Sequence, residues 1–451
     1  MSINDRPAQG GAPDQTIEVH VIPILSYGEV EKTDKLKTIL VRELSIDEEI
    51  EESVRSIIED VRKRGDEAVL YYTRRFDGVE LKSVKKVPVS ELRRLHTQVS
   101  KEFLEALRGA IHNVREFHSR QCREDIWVQK KGGIRMGLRF TPLGTVGLYV
   151  PGGTGAYPST IVMNTVPAQV AGVERIVTVT PPAQFRSNPH VAAAFVELGI
   201  DEVYTIGGAQ SIAALAYGTE SIPRVDKIVG PGNMYVALAK RMVYGLVDID
   251  MIAGPSEIVV VADETADPRY IAADLLSQAE HGSGMEMAVL LTTSRKLAEK
   301  VRVELSRQVE DLPNGKDVKR VLDANALIIV ENLNEAAEAV NRIAPEHLEL
   351  MVEEPYVLLE KIKNAGAIFI GPYSPEPISD YYGGTNHVLP TSGAARYASP
   401  LGVYDFQKCS NVVEYTKQAV YDCCRHVNIL ARAEGFVAHA RSVSIRCEDN
   451  S

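Results

Sequence analysis

Between residues 145 and 233 the chain runs three times through one pattern: a short apolar strand, a glycine-rich turn and a helical stretch. Strand 145–150 leads into Pro151-Gly152-Gly153-Thr154-Gly155 and a helical run at 158–171. A second strand, 175–180, precedes a helix at 191–198. Strand 203–206 runs into Gly207-Gly208-Ala209-Gln210, and strand 227–229 into Gly230-Pro231-Gly232-Asn233. Strands that alternate with helices in this way fold as a parallel sheet with crossover helices. Ligands of such sheets bind beyond the carboxyl ends of the strands, which is where these turns fall. The standard dinucleotide fingerprint is missing, because Gly153-Thr154-Gly155 is followed by Ala156, Tyr157 and Pro158 without a third glycine. Pattern alone therefore leaves nucleotide binding open.

A second alternating region follows. Strands are expected at 258–262, 287–292, 326–330, 348–352 and 367–371, with helices at 296–312, 334–343 and 355–363 between them. Its first helix opens at Asp267-Pro268, a cap followed by a residue suited to the first turn. Ile271, Ala272, Leu275, Leu276 and Ala279 give that helix an apolar face, and Gly282 is a plausible stop. Asp274, Gln278 and His281 form a second stripe one turn apart, a metal-ligand spacing. Two ligands do not close a site, and for the pair taken alone a polar helix end with a hydrogen-bonded His is the better account. Glu346-His347 falls in a turn after Pro345, as an acid/base pair or simply an exposed turn. Ser379-Asp380 and Gly383-Gly384-Thr385-Asn386-His387 lie in a long turn-rich loop of the kind that usually carries function.

The ends carry less. Residues 1–16 are polar and read as a disordered tail, with a short strand at 17–25. Ser45 and Glu48 form a capping box before the apolar stripe Ile50, Val54, Ile57, Ile58 and Val61. One amphipathic stretch covers 89–119, and the first 130 residues read as scaffold without chemistry. After Pro400 come a strand-like piece, a helix at 417–433, then Glu434 and His439, which together resemble an arm. The formal charge of -11 argues against a nucleic-acid groove. Five cysteines form no spaced metal quartet and fit reduced thiols of the cytoplasm. No apolar run reaches membrane-spanning length.

Taken in order, these segments resemble the L-histidinol dehydrogenase family over nearly the whole chain after the tail. The resemblance is carried by Tyr149-Val150-Pro151-Gly152-Gly153, the two later glycine turns, and Ile249-Asp250-Met251-Ile252-Ala253-Gly254-Pro255-Ser256-Glu257. Ser277-Gln278-Ala279-Glu280-His281, Pro345-Glu346-His347, Asn386-His387-Val388-Leu389-Pro390-Thr391, and Glu434 with Ala438-His439-Ala440 complete it.

The resemblance implies an α/β fold of two incomplete Rossmann-like parallel-sheet domains, with a small N-terminal extension and a helical C-terminal arm. The expected division is a larger discontinuous domain from 17–140 and 256–390, a second domain at 141–255, and an arm at 391–451 that reaches the partner subunit's site. The implied activity is oxidation of L-histidinol to L-histidine through L-histidinal, with two NAD, by a cytoplasmic homodimer holding one zinc per subunit. Oxidation of another small alcohol by a related zinc enzyme is the alternative. Matched motif by motif, Gln278, His281, Asp380 and His439 would hold the metal and, with Ser256, His347 and Glu434, surround the substrate. Glu346 and His347 would be the acid/base pair, and Tyr149, Gln210 and Asn233 would contact NAD. His387 matches no ligand. No cysteine lies near these motifs, so a thiohemiacetal route is not supported.

Overall fold

Short runs of Val, Ile and Leu, buried on both faces, build two parallel sheets, as crossover helices require. The computed structural model describes residues 22–30, 32, 39, 48–152, 157–281 and 284–448. The tail at 1–16, Ser45 of the expected capping box, the Gly153-Thr154-Gly155 turn and Gly282 lie outside them. The chain divides into two units. One comprises the described residues up to Glu48 with Met251–Tyr381 and Leu389–Pro400; the other comprises Glu49–Asp250, Tyr382–Val388 and the described part of Leu401–Ser451.

The first unit holds a six-stranded parallel sheet. Its spatial order is Ile24–Ser26, Leu327–Ile329, Met287–Thr292, Glu257–Ala262, His347–Met351, Ala367–Ile370. Alternate residues of the central strand feed two cores. Ile258 and Val260 pack with Ile271 and Leu275 of the Pro268–Ala279 helix, whereas Val259 and Val261 pack with Val340, Ile343 and Leu348. Each such side chain contributes roughly 1.5–3 kcal/mol of burial, so the strand ends that carry polar groups are held by a rigid middle. Asp267 caps the helix as its sequence indicates, accepting the Arg269 N–H at 2.9 Å.

The second unit holds a five-stranded parallel sheet in the order Val203–Tyr204, Arg175–Val179, Thr145–Tyr149, Lys227–Val229, Asp248–Ile249. It also contains an antiparallel sheet that the alternation did not indicate, with Ile134–Pro142 between Gln407–Glu414 and Ile126–Lys130. The helices Lys417–Ala433 and Val437–Cys447 pair beyond it, and Ser444 donates to Asn428 Oδ1 at 2.8 Å.

Two expectations change here. The 89–119 stretch is two helices, Val89–His96 and Lys101–Ser119, because Ser100 starts the second by accepting the Phe103 N–H at 3.1 Å. The N-terminal helices, expected with 256–390, belong instead with the second unit. Glu197 of that unit binds both His96 at 2.7 Å and Arg108 at 2.8 Å, and Asp66 accepts from Thr219 at 2.6 Å. Among the described residues no helix is long and apolar enough to cross a membrane.

Candidate functional site

In the first unit the acid/base pair is not an open turn. His347 begins its strand, and both Glu346 and His347 are buried. His347 Nδ1 lies 2.9 Å from the Glu257 carbonyl oxygen. A carbonyl only accepts, so Nδ1 donates and the lone pair sits on Nε2. That nitrogen faces Glu376 Oε1 at 4.0 Å. Glu346 and Glu257 exchange bonds: each carboxylate accepts the other's backbone N–H, at 3.0 and 3.2 Å. Glu257 also accepts the Ser392 N–H at 2.7 Å. Ser256 directly precedes the Glu257–Ala262 strand.

Asp380 sits on a short helix, Glu376–Tyr381, rather than in the expected loop. Glu376, one turn earlier, shares a hydrogen bond with it. The Glu376 N–H donates to Glu349 at 3.0 Å, and Glu349 in turn pairs with Asp274. Asp274 and Gln278 share the inner face of the Pro268–Ala279 helix, both buried. Gln278 Nε2 lies 3.4 Å from His281 Nδ1, while its Oε1 is buried with no hydrogen-bond partner. His281 itself is exposed, with Nδ1 3.1 Å from the Gln278 carbonyl oxygen.

These groups press their charges on one another. Burial pushes the Glu346 carboxyl well above the ordinary range, and the neighbouring Glu257 adds to this. Burial, then Asp274, does the same to Glu349. Burial, then Asp380, raises Glu376 to about 8, and burial raises Asp380 and Asp274 to about 6. The Pro268–Ala279 helix ends here, and its C-terminus adds partial negative charge. One ligand atom from each of His347, Glu376 and Asp380 lies within 4.8 Å of the others, so the cluster could hold a metal ion. Buried acids, an imidazole and an unpaired amide oxygen around a negative helix end are a donor set that a cation would neutralise.

Of the expected ligands, Gln278, His281 and Asp380 thus lie in one unit. Glu434 and His439 are exposed on the other: Glu434 directly follows the Lys417–Ala433 helix, and the His439 ring stands 5.1 Å from Phe436. Glu376, Glu349 and Glu257 were not singled out. Glu376 and Asp380 do stand at helical i,i+4 spacing, and Glu349 is an acid inside an otherwise apolar strand, so both carried a readable signal.

The second unit builds a cavity at the carboxyl ends of its sheet. Tyr149 ends its strand, Gln210 lies in the first turn of the Gly208–Tyr217 helix, and Asn233 caps the Met234–Val243 helix by accepting the Val236 N–H at 3.2 Å. The three together line a cavity of about 930 Å³, a size suited to a large organic ligand. Gln210 is 1 % exposed, yet neither polar atom of its side chain has a hydrogen-bond partner. The Tyr149 hydroxyl accepts the Gly208 N–H at 3.4 Å, and burial pushes its phenol up to about 12. Gly230 has φ +110°, and a Cβ there would meet the Tyr149 carbonyl oxygen at 2.1 Å, so only glycine brings this turn so close. Asp250 accepts the Gly230 N–H at 2.7 Å, and the buried Lys240, paired with Asp250, donates to the Gly230 carbonyl at 2.9 Å. The N-terminal helices are not mere scaffold, since Tyr72 and Asp77 also line the cavity.

Asn386 holds its loop within the second unit, donating to the Met163 carbonyl at 2.7 Å and accepting the Val388 N–H at 2.9 Å.

Comparison with known proteins places the whole of this architecture in one family. Histidinol dehydrogenase of Bacillus cereus (strain ATCC 14579) is 52% identical over 420 residues, covering 93% of this chain and 97% of that protein. Its counterpart from Caldanaerobacter subterraneus is 54% identical over 400 residues, with 88% and 93% covered. The crystal structure of histidinol dehydrogenase from Elizabethkingia anophelis superposes with a TM-score of 0.87 at 34% identity, covering 94% of this chain and 97% of that one. Since the family model for histidinol dehydrogenase matches residues 40–447, taking in the acid cluster and the glycine-turn cavity alike, the chain belongs to the histidinol dehydrogenase family.

Proposed function

We propose that this chain oxidises L-histidinol to L-histidine through L-histidinal, consuming two NAD, with zinc at the first unit's acid cluster. The observation that carries the metal assignment is the buried, unpartnered Gln278 Oε1 on the same helix face as Asp274, beside a His/Glu/Asp group able to bind a cation. Gln278, His281 and Asp380 would hold the ion, with His439 supplied by the partner subunit through the C-terminal helices. Nitrogen and oxygen donors of this kind suit zinc. When bound, the ion supplies an anchor that fixes the substrate's imidazole and amine. Glu376, hydrogen-bonded to Asp380, orients that ligand.

His347 Nε2 takes the hydroxyl proton of histidinol as the hydride leaves carbon for the nicotinamide. Glu346 then removes a proton from the water that adds to the aldehyde. Burial, then the neighbouring Glu257, raises its pKa, which makes the ionised carboxylate a stronger base. The hydrate then gives a hydroxyl proton to His347, freed of its first, as its second hydride leaves carbon, for which a second NAD would be the acceptor; the acid formed ionises to the carboxylate. Ser256 and Glu434 help hold the substrate. Tyr149, Gln210 and Asn233 hold NAD in the second unit's cavity, where the unpaired Gln210 amide fits a polar ligand. The chain works as a homodimer, and its five free cysteines fit the reducing cytoplasm.

The test is histidinol with NAD, before and after metal stripping, with products counted. Two NADH per histidinol, lost on stripping and regained with zinc, is the expected result. One NADH with aldehyde accumulating, or turnover indifferent to stripping, contradicts it.

A further inference from the structure

The standard ribose-binding acid of dinucleotide sites stands at the end of the second strand. Here that strand, Arg175–Val179, runs into Thr180, Pro181 and Pro182, none of them acidic. An acid reaches the cavity from elsewhere. Asp77 is the last residue of the Asp66–Asp77 helix, followed by Gly78 at φ +64°, and its side chain lines the cavity of Tyr149, Gln210 and Asn233.

Three things make this carboxylate costly. It stands at the negative end of its helix. Its Oδ2 is buried without a hydrogen-bond partner. Burial alone displaces its pKa, and upward, where a neighbouring Lys or Arg would have drawn it down. Arg75, which also lines the cavity, has its guanidinium over the Phe76 ring at 5.4 Å and donates to the Tyr71 hydroxyl at 3.5 Å. The helix is nonetheless fixed: Tyr72 is buried and stacks on Phe76, and Asp66 is bonded to Thr219 and Ser221. A half-buried carboxylate with one buried, unpartnered oxygen beside this cavity is placed to accept from a ligand that donates to it.

We infer that Asp77 selects the dinucleotide, accepting hydrogen bonds from a ribose hydroxyl pair and excluding a ribose that carries a 2′-phosphate. A vicinal diol offers two O–H donors to one carboxylate. A phosphate at that position brings acceptors and roughly two negative charges against it. The inference rests on the reading of this cavity as the dinucleotide site.

The test is equilibrium calorimetry of NAD and of NADP, separately, on the full-length enzyme without alcohol substrate. Asp77→Ala weakens NAD by about tenfold, the loss of a charge-assisted bond. NADP binding holds or tightens, so the preference for NAD falls by at least about tenfold. Asp77→Asn keeps the shape without the charge; it raises the melting temperature of the ligand-free protein and relaxes the exclusion of NADP. An unchanged preference in both variants overturns the inference. Gln210→Ala separates the two failures. If it weakens NAD while the Asp77 variants keep the preference, only the role of Asp77 falls. If it leaves NAD affinity unchanged, the cavity is not the dinucleotide site and both readings fall.

Discussion

The two units use opposite ends of the same kind of sheet. In the second unit, Tyr149, Gln210 and Asn233 gather at the carboxyl ends of the strands, where helices begin. In the first, Glu257 and His347 are the first residues of their strands, and the Pro268–Ala279 helix finishes beside them. Crossover connections put helix N-termini at one edge of a parallel sheet and C-termini at the other. The first edge carries partial positive charge and suits a pyrophosphate; the second carries partial negative charge and suits a cation. On the proposed reading, the usual rule that ligands lie at carboxyl ends describes the second unit's cavity and fails for the first unit's acid cluster, for the same electrostatic reason.

If the units divide the work in this way, damage at one edge leaves the other intact. His347→Asn slows the alcohol step by roughly 10²–10⁴-fold, the usual worth of a general base, while NAD affinity stays unchanged in a binding titration. Glu346→Gln, which keeps size but cannot accept a proton, loses histidinal oxidation far more than histidinol oxidation. Equal losses in the two half-reactions would make Glu346 a structural residue. Gln210→Ala does the reverse of both, weakening NAD while leaving metal content at one per chain.

Next in size is the sharing of the first site between chains. Asp380→Ala and His439→Ala subunits are each inactive. After reversible dissociation and mixing, exchanged tails leave one mixed dimer site with both defects and one with neither. With half the dimers mixed, activity returns to about a quarter of wild type. No recovery, with subunit exchange verified, places His439 in its own chain's site.

The smallest effect is in stability. In the metal-free protein Asp274 and Asp380 titrate at about 6 and Glu376 at about 8, above their ordinary values of 3.8 and 4.5. The folded chain then keeps protons that the unfolded chain releases. Their stabilisation is full below about pH 4 and is lost as pH climbs towards 8. The melting temperature of metal-free enzyme should fall by a few degrees between pH 5 and 8, and zinc should restore it most at pH 8. A flat profile would mean that these acids do not titrate together.

Much of the second unit was legible because its boundaries carry local chemistry. The Pro158–Ala171 helix has proline at its start and Gly172 at φ +92° at its end, and it forms where its sequence marks it. The antiparallel strand Ile126–Lys130 was not legible, since all five side chains are exposed and no alternation announces a face. The helix Gly315–Ala324 was passed over as well, lying in a charged stretch where only Val318, Val321 and Leu322 are buried. At the sites, Gln278, His281, Asp380 and the glycine turns could be named because ordered motifs carry them. Glu376 and Glu349 offered only a helical spacing and an acid within an apolar run, and Asp77 offered no motif at all; the burial of all three is decided by elements distant in sequence.

The central claim is that the metal lies at the amino edge of the first unit's sheet, among Gln278, His281 and Asp380. Anomalous scattering from crystals grown with zinc, recorded on both sides of the zinc absorption edge, tests it most directly. The account predicts one peak per chain, within bonding distance of Gln278 Oε1 and an Asp380 oxygen, with His439 of the partner subunit alongside. A peak at the glycine-turn cavity, or none near Gln278 in crystals of fully active enzyme, would contradict it.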